Sequence, residues 1–106
     1  MSPEIKDILA ELRPALEALY GERLVKLILF GSQARGDAEP GSDIDLLLVL
    51  DGPFRTGEEI ARVGEVTANL SLKYNVVITC TFVSAERYLQ EQSPLLINVR
   101  REGVAL

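Results

Sequence analysis

Leu27-Ile-Leu-Phe-Gly-Ser-Gln-Ala-Arg-Gly-Asp-Ala-Glu-Pro-Gly-Ser-Asp-Ile-Asp-Leu-Leu-Leu-Val-Leu50 holds two apolar runs with a polar loop between them. The first run reaches back to Leu24 and stops abruptly at Gly31-Ser32. The second, Ile44 to Leu50, opens on Asp43 and Asp45. Short leucine-rich or β-branched runs bounded by turn residues read as two buried strands, Leu24 to Phe30 and Ile44 to Leu50. Side chains alternate faces along a strand, so Asp43 and Asp45 point the same way. The loop between the runs is short, which suits antiparallel pairing.

Two carboxylates on one face suit a hard cation such as Mg²⁺, which keeps waters and takes other ligands from substrate phosphates. Gly31 lets the backbone approach a ligand closely. Ser32 fits the cap of a short helical turn, Gln33 to Gly36, whose free N–H groups would face an anion. Arg35 could add a charge-assisted contact to phosphate. A phosphate cradle beside a carboxylate pair is what nucleotidyl transfer from a Mg–nucleoside triphosphate requires.

Gly31-Ser32, ten residues, then Asp43-Ile44-Asp45 resembles the G-S-x10-D-x-D signature of the DNA polymerase beta-like nucleotidyltransferase superfamily. The fuller pattern, G-S-x-A-R-G followed by S-D-x-D-L, is similar to that of the minimal nucleotidyltransferases, often antitoxins of HEPN-domain toxins. The resemblance implies Gly31 and Ser32 on the triphosphate, and Asp43 and Asp45 as catalytic ligands of Mg²⁺. It also implies the palm-like nucleotidyltransferase fold.

The whole chain, residues 1–106, reads as one domain with a modest core. No apolar run approaches the roughly 20 residues of a membrane span. The start has no basic segment followed by an apolar stretch, which argues against a signal peptide and points to the cytoplasm. Net charge is −5, with eleven basic residues against sixteen acidic ones, which argues against a nucleic-acid substrate. The basic doublet Arg100-Arg101 fits a helix C-terminus. There is no histidine, which excludes Ser-His-Asp chemistry and histidine metal ligands. The single cysteine, Cys80, sits in an apolar run and reads as a small buried hydrophobe.

A first helix should start at Ser2-Pro3-Glu4, with Ser2 as cap, and end at Gly21. Ile5, Ile8, Leu9, Leu12, Leu16 and Leu19 form its apolar stripe, and Pro14 should kink or divide it. A second helix is expected from Gly57 to about Tyr74, with Thr56 as cap and Glu59 in capping-box position. Asn75 to Val83 reads as a third strand. Ser84 then caps a short helix to about Gln92, and Ser93-Pro94 starts another, Leu95 to Arg101, closed by Gly103. The expected fold is α/β: a small mixed sheet of at least three strands with helices packed on it.

The superfamily usually places a third acid on a later strand. Here no Asp or Glu occurs between Glu65 and Glu86, and the third strand offers only Asn75, Thr79 and Thr81 as polar groups. The loop acids Asp37 and Glu39 read as solvated. The expected activity is Mg-dependent transfer of AMP from ATP, or of a nucleotide from another triphosphate, to a hydroxyl. By resemblance, the acceptor would be a tyrosine of a partner HEPN toxin. The alternative is a weak or inactive antitoxin of the same fold that acts by binding its toxin. The missing third acid favours this alternative, and the intact Gly-Ser and D-x-D favour the enzyme.

Overall fold

A computed structural model describes residues 3–39 and 41–106. Helix α1 (Pro3–Tyr20) is followed by a 3-10 turn (Gly21–Arg23), strand β1 (Leu24–Phe30), a one-turn helix α2 (Ser32–Arg35) and strand β2 (Ile44–Leu50). Helix α3 (Thr56–Tyr74), strand β3 (Ile78–Ser84), helices α4 (Ala85–Gln90) and α5 (Pro94–Glu102) and strand β4 (Val104–Ala105) complete the chain. The four strands form one mixed sheet in the order β3-β2-β1-β4. β1 and β2 pair antiparallel, as the short loop predicts, and β3 lies parallel to β2 after the α3 crossover. β4 pairs antiparallel with β1 at Ile28 and Leu29. Two residues carry too little pattern to read as a strand, and sequence analysis missed it.

β2 is the centre of the molecule. Every residue from Ile44 to Leu50 is buried except Asp45, which is half-buried. Its side chains divide by parity. Ile44, Leu46, Leu48 and Leu50 join the larger core with the stripe of α1 and with Val63 and Leu70 of α3. Leu47 and Val49 join a smaller core with Ile28, Val83 and, from α5, Leu96 and Val99. Asp45 shares their parity, so it stands at one end of the face that α4 and α5 cover.

Four local expectations need correction, and one lies outside the described residues, the cap at Ser2. α1 runs through Pro14 undivided. Pro14 costs one backbone bond on the exposed side, while Ile8, Leu12 and Leu16 hold the opposite side fully buried. Leu19 is exposed and Tyr20 takes its place in the core. Thr56 does not cap α3, whose N-cap is Arg55 without a side-chain bond. Glu59 turns inward instead of back to the cap: it is 2 % exposed and accepts from the Tyr20 hydroxyl at 2.8 Å and Arg62 Nε at 2.9 Å. β3 starts at Ile78 and not at Asn75, which ends α3 in the left-handed conformation. Arg100 does serve a helix C-terminus, donating to the carbonyls of Tyr88 and Glu91 at the end of α4. Ser84 and Ser93 do cap α4 and α5, accepting from the Arg87 and Leu96 amides.

Glu59 is the buried charged residue of the core. Burial pushes its carboxyl up, but the Tyr20 hydroxyl and the Arg62 guanidinium more than offset this and hold it below the usual carboxylate range. A carboxyl lowered in the folded state stabilises the fold above its unfolded pKa of about 4.3, and that contribution is lost as pH falls through the folded value. Glu59→Ala should cost about 2 kcal/mol by orphaning the Tyr20 hydroxyl, and Tyr20→Phe about 1 kcal/mol. The double variant should cost less than the sum. Urea denaturation at neutral pH checks the magnitudes, and Glu59→Gln should flatten the loss of stability below pH ~4.3.

Candidate active site

β1 ends in a bend that only glycine makes without strain. Gly31 has φ 74° and ψ −157°, a region essentially closed to other residues. The bend turns the chain straight into α2. Gly31, not Ser32, is the N-cap, and its carbonyl accepts from the Ala34 and Arg35 amides, each at 3.1 Å. The expectation that Ser32 caps the turn is therefore corrected. Ser32 is the first residue of the turn, and its hydroxyl makes no hydrogen bond among the described residues. The Ser32 and Gln33 amides, at the open end of the turn, are not used by it. Gly36 closes the turn in the left-handed conformation, its amide donating to the Ser32 carbonyl at 3.0 Å.

The same bend presses against the acids. Phe30 pairs with Asp45 across β1 and β2. A Cβ on Gly31 would sit 2.6 Å from Asp45 Oδ2, closer than real atoms come. The absent side chain is what lets the turn and the carboxylate meet. Asp43 lies just before β2 and is exposed. Ile44, between the two acids, buries its side chain in the larger core and donates its amide to the Val77 carbonyl at 2.8 Å. Burial, then the Asp43 charge, push the Asp45 pKa above the usual carboxylate range. Two hard oxygen donors, one destabilised as an anion by its setting, are a donor set that fits Mg²⁺.

Arg35 stands on the turn and is engaged by two acids. Its Nε contacts Asp37 at 3.2 Å and its Nη1 contacts Glu102 at 3.3 Å. Glu39 lines a recess of about 480 Å³ with Glu4, Gln33, Ser42 and Tyr74. Another recess of about 480 Å³ lies at the far end of β1, against Arg13, Glu17 and Lys26, away from both acids. On the other side of Asp45, its β3 partner is Thr79, an exposed residue. Among the described residues no group of three or more acidic or cysteine side chains comes together as a metal site. Cys80 is half-buried against the larger core, and burial pushes its thiol up to about 11. It is not a nucleophile at neutral pH. Gln33 is the residue that sequence reasoning missed: its Nε2 donates to the Ser42 carbonyl at 3.3 Å, across nine residues. Its position inside the G-S-x-A-R-G pattern was the one available signal.

The model of the nucleotidyltransferase domain family matches residues 9–102. The chain belongs to this family. Two proteins of Methanocaldococcus jannaschii, provisionally named protein adenylyltransferases, are among its relatives. One is 36% identical over 76 residues, covering 72% of this chain and 76% of the relative. The other is 43% identical over 74 residues, covering 70% and 68%. A crystal structure of a toxin-antitoxin with AMP-PNP has the same fold, with a TM-score of 0.55 at 19% identity, covering 96% of this chain and 68% of that one. This nucleotidyltransferase thus shows the mixed sheet and flanking helices expected of its family. No helix among its described residues is long and apolar enough to cross a membrane.

A carboxyl with a raised folded pKa is a cost to the fold while ionised, and the cost fades as pH falls through that raised value. Asp45→Asn should therefore raise the melting temperature of the metal-free protein by a few degrees, on the order of 1 kcal/mol or less. Mg²⁺ should raise the melting temperature of the wild type but not of this variant. Gly31→Ala should act in the opposite direction, losing about 1–3 kcal/mol to strain and the Asp45 clash. Thermal scans with Mg²⁺ or EDTA read all three.

Proposed function

We propose that this nucleotidyltransferase transfers AMP from ATP to a hydroxyl, that the acceptor is a tyrosine of a partner HEPN-domain toxin, and that the transfer neutralises the toxin. The approach of the Gly31 backbone to the Asp45 carboxylate carries the reading. It joins a turn with uncommitted amides to a pair of acids. The names of the two M. jannaschii relatives support adenylylation of a protein. The likeness to a toxin-antitoxin holding an ATP analogue supports the nucleotide and the setting.

In this account the amides of Ser32 and Gln33 and the Ser32 hydroxyl bind phosphate oxygens, as a helix start does. Gly31 keeps the approach open. Arg35 leaves Asp37 and Glu102 to meet phosphate; exposed pairs of this kind are worth only about 0–1 kcal/mol, so the exchange is cheap. Asp43 and Asp45 hold Mg²⁺, which when bound neutralises phosphate charge and polarises the reacting phosphate. The acceptor oxygen forms a bond to the α-phosphorus, the bond from that phosphorus to the oxygen bridging the β-phosphate breaks, and pyrophosphate leaves. The hydroxyl proton passes to solvent or to Asp45. A tyrosine hydroxyl, with an ordinary pKa of about 10, gives up its proton more readily than a sugar hydroxyl. Leu95 and Ile97, at 41% and 38% exposure on α5, offer apolar contact area to the partner, whereas their neighbours Leu96 and Val99 are core.

One observation favours a second reading. Thr79, the neighbour of Asp45 on β3, is neutral and cannot serve as a third ligand carboxylate or as a base. A domain of this fold with little turnover could still silence a toxin by covering it. Incubation of the purified pair with ATP labelled at the α-phosphate separates the two. Transfer of label to the partner that requires Mg²⁺ and falls at least about 100-fold in Asp43→Asn and Asp45→Asn is the expected outcome. Neutralisation that survives both substitutions without label would instead establish the covering mode.

A further inference from the structure

The geometry points to Gln33 as the positioning residue that couples the phosphate turn to the metal acids, an inference that rests on the nucleotidyltransferase site proposed above. The two acids are not held alike. Asp45 lies within the sheet, paired to Phe30 on one side and Thr79 on the other. Asp43 lies outside the ladder, and its place depends on the loop that delivers it. On its C-terminal side, the Ile44 amide is anchored to Val77. On its N-terminal side, the anchor is the Ser42 carbonyl, which accepts from Gln33 Nε2 at 3.3 Å. Among the described residues Ser42 is otherwise tied to its own loop, its amide donating to the Glu39 carbonyl at 3.0 Å.

The other end of this bond is equally informative. The backbone bonds of α2 are local, running to the carbonyls of Gly31 and Ser32. Among the described residues, none reaches the segment before β2. Gln33 is half-buried and spans that gap, so the open amides of the turn and the carboxylate of Asp43 share one side-chain link. Phosphate and cation binding are each local events. Gln33 makes the placement of one depend on the placement of the other. Its effect belongs in the coupling between nucleotide and Mg²⁺, not in either affinity alone.

Calorimetric titration of AMP-PNP into the full chain, with Mg²⁺ and with EDTA, measures that coupling as the ratio of the two Kd values. Gln33→Met keeps the bulk and removes the donor; Gln33→Ala removes both. In each variant the ratio should fall about 3–10-fold, the size of one modest hydrogen bond, with the larger weakening in the presence of Mg²⁺. Thermal scans should place the melting temperature of the ligand-free variants within about 6 °C of the wild type, the loss of one hydrogen bond, so that both variants are folded in the titration. A ratio unchanged in both variants, or equal weakening with and without Mg²⁺, would overturn the inference. A wild-type protein whose AMP-PNP affinity ignores Mg²⁺ would overturn the underlying site reading as well, and so marks that failure apart.

Discussion

The approach of the Gly31 backbone to the Asp45 carboxylate is the constraint on which the rest of this molecule rests. It requires a residue without a side chain, in a conformation that others avoid, at the point where β1 must stop. It requires β1 and β2 to lie side by side in a register that puts Phe30 opposite Asp45. It also requires a turn short enough to start at once, so that its first amides open beside the acids. Antiparallel pairing supplies the register, and the two apolar runs supply the pairing.

The cost of the arrangement falls on β2. A central strand buried on both faces has no natural place for a carboxylate, and Asp45 is the one residue of that strand not fully buried. Its raised pKa is the electrostatic record of this placement, with Asp43 adding to it. The cost is tolerable because it sits at the strand's end, where Ile44 pins the backbone into the larger core and Leu47 and Val49 seal the smaller one. The other buried acid, Glu59, is treated in the opposite way: two donors satisfy it, and it holds α3 to α1 through Tyr20. A buried carboxylate met by two donors reads as structural, and a half-buried one pressed against a backbone bend reads as a ligand in waiting.

Much of this was legible in the sequence because it depends on local signals. Turn residues around apolar runs fixed β1 and β2 to the residue, and Ser84 and Ser93 marked their helices by capping chemistry that depends on three or four neighbours. The misses share a cause. Glu59 looks like a capping-box residue until Tyr20, distant in sequence, offers it a hydroxyl. Ser32 looks like a cap until the backbone of Gly31 takes that position. β4 is two residues long and exists only because β1 has an open edge. Gln33 carries no signal beyond its place in the G-S-x-A-R-G pattern, since its partner is a backbone carbonyl that any residue at position 42 would provide. In each case tertiary contact decided between two locally reasonable outcomes.

With Thr79 where a third carboxylate could stand, the proposed chemistry rests on the two acids beside the bend. Whether a divalent cation settles there is therefore the most direct question to ask of the molecule. Paramagnetic Mn²⁺, a stand-in for Mg²⁺, broadens the NMR signals of nuclei near it. At substoichiometric Mn²⁺ the account predicts that the amides of Ser32, Ile44, Asp45 and Thr79 fade first in the isotope-labelled protein, and that Asp45→Asn abolishes the effect. Loss centred instead on the recess of Glu4, Glu39 and Tyr74, or spread evenly over the acidic surface, would contradict it.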